Sequence, residues 1–329
     1  MKIKIDEAVD LSKNVLKSFG IGSEEAELIT ENLIEAELSG RKTHGLVRLI
    51  SFKSTFDNKK LNVEPLLVDV IGESLTYLHI DGHKKLGFGP IYKSLELAFE
   101  KIKSTKIVCV GLKDLGVTGY IGAYARKATE KNLIFIGFNN SLGGLVPYGS
   151  IKEMWGTNPI TVGIPTNSIP VILDMASSQI TWGDLLVAKN EGKQIKDGVA
   201  IDSDGQVTTD PNNVAGLLPF FGHKGSGLAF IVELLGGALT GAGVGSQVPG
   251  GWGSSYILID PTMFRSLEDF KKDIDVVIDG LKNSPKMDGF DEIYYPGEKS
   301  AKLRQKQLES GFVEISDQIL EKVKLINED

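Results

Sequence analysis

The chain has 329 residues, 41% hydrophobic and 24% charged, with a formal net charge of -7. That length and apolar content suffice for two cored lobes or domains. An acidic chain lacks the basic face that nucleic-acid phosphates require, so no nucleic-acid partner is expected. Met1 to Asp6 has neither the apolar core nor the cleavage site of a secretory signal. The weakly charged stretch Gly227 to Gly245, broken by Glu233 and several glycines, falls short of a bilayer span. A cytoplasmic protein without a membrane partner is the expectation. The single cysteine, Cys109, excludes an internal disulfide, and within Ile107-Val108-Cys109-Val110 it reads as a buried strand residue.

Ile3 to Phe19 and Ser23 to Leu38 place apolar residues at helical spacing, with Ala26, Ile29, Leu33 and Ala36 on one stripe. Ser23 followed by Glu24, Glu25 and Glu27 suits a helix start. After the Ser39-Gly40 break, Thr43 to Phe56 reads as a third helix, which would set His44 and Arg48 one turn apart on one face. From Val68 the pattern changes to short β-rich runs: Leu75 to Ile80, Ile107 to Leu112, Leu133 to Asn139, Pro159 to Ile164, Pro170 to Leu173 and Tyr256 to Ile259. Pro90 to Ser104 and Gly122 to Lys131 read as helices between them. Ser266 to Leu281 and Ser300 to Leu325 return to charged, helix-like segments expected to pack back on the N-terminal lobe. The predicted organisation is α/β, with a helical lobe from residues 1–67 and 266–329 and a mixed α/β domain over 68–265.

No G-x-G-x-x-G follows a strand, because Gly87-Phe88-Gly89 continues as Pro90-Ile91-Tyr92, and the dinucleotide fingerprint of the Rossmann fold is therefore absent. Gly222-His223-Lys224-Gly225-Ser226-Gly227 fails the P-loop pattern, with glycine where Ser or Thr should follow the lysine. It still opens an apolar helix, Leu228 to Leu239. Free amides, the positive helix end and the Lys224 ammonium can converge there on a phosphate, or the segment is a glycine-rich turn with a surface lysine. Of the four histidines, His79 lies in a strand pattern and His83 in a turn. His44 has Arg48 nearby, a proton-exchanging group beside a guanidinium suited to a carboxylate, although a chance surface pair has the same spacing. No histidine is paired with cysteines or carboxylates at metal-ligand spacing, so no metal is expected. Asp202-Ser203-Asp204-Gly205 lacks the closing Glu of a calcium loop and reads as a hairpin turn. No G-x-S-x-G elbow is present.

Several segments together resemble the type-2 malate/L-lactate dehydrogenase family over nearly the whole chain. They are Thr43-His44-Gly45 with Arg48, Asn139-Asn140-Ser141, Gly156-Thr157-Asn158-Pro159, Asp174-Met175-Ala176-Ser177-Ser178, Thr208-Thr209-Asp210-Pro211, Leu218-Pro219 with Gly222-His223-Lys224-Gly225, and Tyr295-Pro296-Gly297-Glu298. Gly289 to Gly297, and Trp182-Gly183, are most similar to the ureidoglycolate dehydrogenase branch. The resemblance implies a sulfolactate dehydrogenase-like fold: a large mixed sheet binding NAD or NADP, a helical lobe supplying substrate groups, and a homodimer. By position it implies cofactor contacts from Ser141, Asp174, Met175, Ala176, His223, Lys224, Gly297, Glu298 and Lys299. Thr43, His44 and Arg48 would hold a small carboxylate substrate. His44 would be the proton donor and Arg48 the carboxylate clamp, while Asp174 serves the cofactor or else orients His44.

The implied activity is hydride transfer between the nicotinamide and a 2-hydroxyacid or 2-oxoacid, with ureidoglycolate or a cyclic imino acid as alternative substrates. Two departures stand out. A second histidine common in a loop of the family falls on Val117, and a common lysine after Trp182-Gly183 is Asp184. Loss of the loop histidine leaves open a cofactor-binding homologue without turnover.

Overall fold

The computed structural model describes residues 1–57, 62–66, 68–245, 248 and 251–328. In chain order the elements are β1 (Lys2–Lys4), α1 (Ile5–Ser18), α2 (Ser23–Leu38), α3 (Val47–Asp57), β2 (Asp69–Glu73), β3 (Tyr77–Lys85), α4 (Phe88–Thr105), β4 (Ile107–Leu115), α5 (Ile121–Glu130), β5 (Ile134–Asn139), β6 (Ile160–Ile164), β7 (Val171–Met175), α6 (Trp182–Glu191), β8 (Ala200–Ile201), β9 (Gly216–Leu217), α7 (His223–Val232), β10 (Trp252–Ile259), α8 (Leu267–Lys282), α9 (Glu298–Ser310), β11 (Phe312–Glu314) and α10 (Asp317–Glu328). A seven-stranded sheet runs β2-β3-β4-β10-β5-β6-β7. Only the β3–β4 pair is parallel, as its α4 crossover requires; every other neighbour is antiparallel. The expected mixed α/β sheet is therefore present.

Strand alternation divides β4 between two faces. Val108, Val110 and Leu112 are buried in one core with Ile91, Leu95 and Ala98 of α4 and Tyr124, Ala125 and Ala128 of α5. On the other face Gly111 lies against Thr240, at the end of a π and 3-10 extension of α7 over Glu233–Thr240. Cys109 shares that side and is half-buried rather than buried, because the glycine-rich extension covers it incompletely.

The second core is helical. Ala26, Ile29 and Leu33 of α2 are fully buried with Val15 and Leu16 of α1, Leu46 and Leu49 around the start of α3, and Ile319, Leu320 and Val323 of α10. Each large side chain buried this completely contributes about 1.5–3 kcal/mol relative to exposure. β1 pairs with β11, tying the two ends of the chain together. Polar ties hold this lobe to the sheet domain: Asn32 donates to the Tyr120 carbonyl at 3.0 Å and accepts from its amide at 2.8 Å. Glu35 accepts from Arg126 of α5 at 2.9 Å and from Arg304 of α9 at 2.8 Å. Lys85 and Glu25 form an almost fully buried ion pair at 3.0 Å.

Three sequence expectations need correction. Thr43 to Phe56 is not one helix: Lys42–His44 forms a 3-10 turn, and α3 begins at Val47 after Gly45, whose ψ of -146° breaks the helical path. Ser300 to Leu325 is interrupted by Gly311 and β11, so α9 packs on α2 while α10 packs on α1 and α3. α8 meets the helical lobe through the Lys282–Glu298 ion pair at its end rather than through a packed face; it has no buried residue and rests against the Pro261–Met263 turn. The boundary drawn at residue 67 lies outside the described residues.

Candidate active site

A cleft of about 1260 Å³ opens between the helical lobe and one end of the sheet's strands. Asn139 ends β5, Asp174 and Met175 end β7, Trp252 begins β10, and the Val117–Tyr120 loop follows β4. All lie on the cleft wall formed by those strand ends. Arg41, Thr43, His44, Arg48 and Phe52 form the facing wall, and Thr181, Trp182 and Asp184 at the start of α6 close one side.

Even with the break at Gly45 and no continuous helix, His44 lies on the cleft wall. Leu46 donates its amide to the Glu37 carboxylate at 2.8 Å, and Gly45 passes so close that a Cβ there would overlap that carboxylate. Glu37 is buried, and burial pushes its pKa up to about 7 despite the Leu46 amide and nearby Lys42. The turn is therefore pinned from behind, and His44 projects at the cleft. Its Nδ1 lies 2.9 Å from Thr43 Oγ1. Among the described residues none hydrogen-bonds Nε2.

Burial, with Arg48 and Arg41 adding repulsion, holds the His44 imidazolium far below its ordinary range, to about 3. Between substrates His44 is neutral and poised to accept a proton. Arg48 is lowered by burial to about 10 and stays charged, partly supported by Asp184. Its Nε is buried without a partner among the described residues, which leaves a guanidinium donor for an incoming carboxylate. Gly183 makes room for the guanidinium, since a Cβ there would lie 2.6 Å from Thr43 Cβ and 3.3 Å from Arg48 Nη2.

No hydrogen bond joins Asp174 to His44 among the described residues. Its Oδ1 accepts from Thr161 Oγ1 at 2.7 Å and its Oδ2 from the Gly122 amide at 2.8 Å, in the first turn of α5. Burial raises its pKa. Both oxygens tie β6, β7 and α5 together under the cleft floor, and Thr43 is the residue that partners the imidazole.

The structure brings Thr43, His44, Arg48, Ser141, Asp174, Met175 and Ala176 onto one cleft. It leaves His223, Lys224, Gly297, Glu298 and Lys299 outside the cleft lining. Lys224 is exposed in the first turn of α7, three residues past Phe221, which does line the cleft. His223 packs edge-on to Tyr148 at 6.1 Å. Glu298 is buried, and its carboxylate is held by Lys282 and Lys302, both at 2.8 Å. This ion cluster fixes the start of α9 against β7, where Ile172 donates to the Pro296 carbonyl at 3.0 Å.

Val117 lines the cleft and packs against the helical core. Asp184 also lines it, in a capping box with Thr181. Sequence reasoning missed Arg41, Glu153 and the side chain of Asn139. Arg41 and Asn139 sit within or beside the quoted motifs, whereas Glu153 is brought in by a loop with no local signal. His79, bonded to the Thr240 carbonyl at 2.8 Å, and His83, paired with Asp69 at 2.9 Å, lie away from the cleft. Among the described residues no cluster of His, Cys, Asp or Glu fits a metal ion. Nor is any helix there long and apolar enough to cross a membrane.

A family model described as malate/L-lactate dehydrogenase matches residues 3–324. Malate/(S)-sulfolactate dehydrogenase of Methanothermus fervidus is 31% identical, with 99% of this chain and 97% of that one covered. Ureidoglycolate dehydrogenase (NAD(+)) of Escherichia coli is 29% identical over 97% of this chain and 94% of the relative. The solved sulfolactate dehydrogenase of Methanocaldococcus jannaschii superposes with a TM-score of 0.88 at 32% identity, covering 100% of this chain and 97% of that one. These likenesses define an oxidoreductase of the dehydrogenase class that acts on the CH–OH group of a hydroxyacid. The chain belongs to the malate/L-lactate dehydrogenase family.

Proposed function

We propose that this cleft binds NAD or NADP against the strand ends of the sheet and interconverts a small 2-hydroxyacid and its 2-oxoacid, with His44 and Arg48 as the substrate-side groups. The observation that carries the reading is the unpartnered, buried Arg48 Nε beside His44 on the wall facing Ser141 and Asp174 to Ala176. The sheet wall also fits a nicotinamide, because Asn139 Oδ1 is buried there with no hydrogen-bond partner. When bound, the nicotinamide supplies the hydride acceptor or donor.

Arg48 holds the substrate carboxylate and so fixes the reacting carbon. In oxidation, neutral His44 Nε2 takes the proton of the substrate hydroxyl as the hydride leaves. In reduction the same nitrogen returns it to the carbonyl oxygen. A carboxylate against Arg48 cancels one of the two positive charges that suppress the imidazolium, so substrate binding itself helps His44 carry that proton. Val117 exchanges no proton, which leaves His44 as the substrate-side acid–base group.

On the cofactor side, Ser141, Met175 and Ala176 contact the dinucleotide, and Lys224 with the first turn of α7 reaches a phosphate. Glu298 is committed to Lys282 and Lys302 and serves by holding Gly297 and Lys299 in place. Ureidoglycolate or a cyclic imino acid is the second substrate reading, favoured by the ureidoglycolate dehydrogenase among the relatives. A homodimer is proposed from the family, as is a cytoplasmic location. A panel of 2-oxoacids, ureidoglycolate and cyclic imines, each assayed with NADH and NADPH, tests the reading. Turnover of a 2-oxoacid supports it, and tight dinucleotide binding without turnover of any compound contradicts it.

A further inference from the structure

Asn139 and Asn140 are adjacent buried amides with different fates. Asn140 uses both ends of its side chain: Nδ2 donates to the Gly243 carbonyl at 2.8 Å, and Oδ1 accepts from the Gly253 amide at 2.6 Å. Asn139 is only 2% exposed, yet its Oδ1 has no partner. An orphaned buried acceptor costs about 1–3 kcal/mol, so one retained on a cleft wall marks where a ligand donor belongs.

The backbone leaves this side chain little freedom. Asn139 closes β5, opposite Ser254 of β10, and donates its amide to the Pro159 carbonyl at 3.3 Å. Four buried side-chain atoms lack partners among the described residues. Asn158 and Trp155 do not line the cleft, whereas Arg48 and Asn139 do. The two orphaned atoms, each on a cleft-lining residue, are complementary in kind. A donor waits on the helical wall, and an acceptor waits on the sheet wall.

We propose that Asn139 binds the nicotinamide ring by accepting a hydrogen bond from its carboxamide NH2, an assignment that rests on the reading of this cleft as a nicotinamide dinucleotide site. Hydride transfer requires the nicotinamide to face the substrate held by His44 and Arg48, and the carboxamide NH2 is the only N–H donor at that end of the dinucleotide. Asn139 thereby selects for a carboxamide at the ring's 3-position and fixes which face of the ring meets the substrate.

The test is calorimetric titration, without substrate, of the unaltered chain and Asn139→Leu. The probes are NADH, NAD(+), ADP-ribose, and the 3-acetylpyridine analogue of NAD(+), which replaces NH2 by CH3 and keeps the carbonyl. The unaltered chain should bind the acetylpyridine analogue about tenfold more weakly than NAD(+). Asn139→Leu should lose about tenfold in NADH affinity and bind the analogue as well as NAD(+). Its affinity for ADP-ribose, which lacks the ring, should be unchanged, and this also confirms that the variant is folded. Equal affinity of the unaltered chain for NAD(+) and the analogue overturns the assignment, as does an unchanged NADH affinity in Asn139→Leu. Loss of ADP-ribose binding together with NADH binding, in a variant that still unfolds cooperatively, places Asn139 at the adenosine end and overturns it too. An unaltered chain that binds neither NADH nor ADP-ribose overturns the dinucleotide reading, and the Asn139 assignment with it.

Discussion

The Glu37 carboxylate accepts the Leu46 amide proton at 2.8 Å from behind the turn that carries His44. Glu37→Ala should loosen that turn and lower kcat at least about tenfold while leaving NADH affinity within about twofold, because cofactor residues lie on the opposite wall. Glu37→Gln keeps an acceptor oxygen and should retain most of the turnover. Steady-state rates and fluorescence titration of the two variants check this, and equal losses in both would mean that the charge, not the bond, matters.

The same residue gives a pH signature in stability. Glu37 has its folded pKa raised from 4.5 to about 7, so the native state binds that proton more tightly than the unfolded chain. Its contribution to stability is then greatest at acid pH and declines as pH rises from about 4.5 to about 7, by on the order of 3 kcal/mol. Melting temperatures of Glu37→Gln against the unaltered chain should diverge in the variant's favour across that window. A constant difference would contradict the buried, titrating carboxylate.

His44 has the opposite sign of shift, down to about 3. Because kcat/KM reports the free enzyme, oxidation should show no limb from His44 between about pH 5 and pH 8, where the imidazole is already neutral. Reduction needs the proton, and its kcat/KM should fall about tenfold per pH unit through the same range. A bell centred near the ordinary histidine value in both directions would show that the imidazole is not suppressed.

Asp174→Asn tests the partition of roles under the cleft floor. With its oxygen kept on the Gly122 amide, the new NH2 faces the Thr161 hydroxyl, whose proton then loses its acceptor, and the variant should lose about 1 kcal/mol of stability by chemical denaturation. Its acid–base profile should stay that of His44. A shifted kinetic profile at unchanged stability would return Asp174 to the orienting role.

Periodicity revealed most of the architecture: the buried stripe Ala26, Ile29, Leu33 and Ala36, the strands, and the crossover helix α4 all follow from local apolar spacing. The sequence pattern could not reveal the break at Gly45, because it depends on Glu37 pressing against the chain eight residues later. Nor could it show that α8 lays no packed face on the helical lobe, since an amphipathic stripe says only that one face is apolar and not what covers it. His44 and Arg48 were legible as a pair through the family motif, yet the tertiary fold alone shows that Arg48 Nε is left open and that Asp174 spends both oxygens elsewhere. Asn139 lies in the Asn139-Asn140-Ser141 segment, yet nothing in that segment tells it from Asn140, which uses both ends of its side chain, and only the fold separates the two.

In the proposed reaction every substrate proton passes through His44. The most direct measurement is kcat of His44→Ala with NADH and the best 2-oxoacid, beside the NADH dissociation constant of the same variant. A fall of about 100- to 10,000-fold in kcat, with NADH affinity within about twofold of the unaltered chain, is the predicted result. Turnover close to that of the unaltered chain would contradict it.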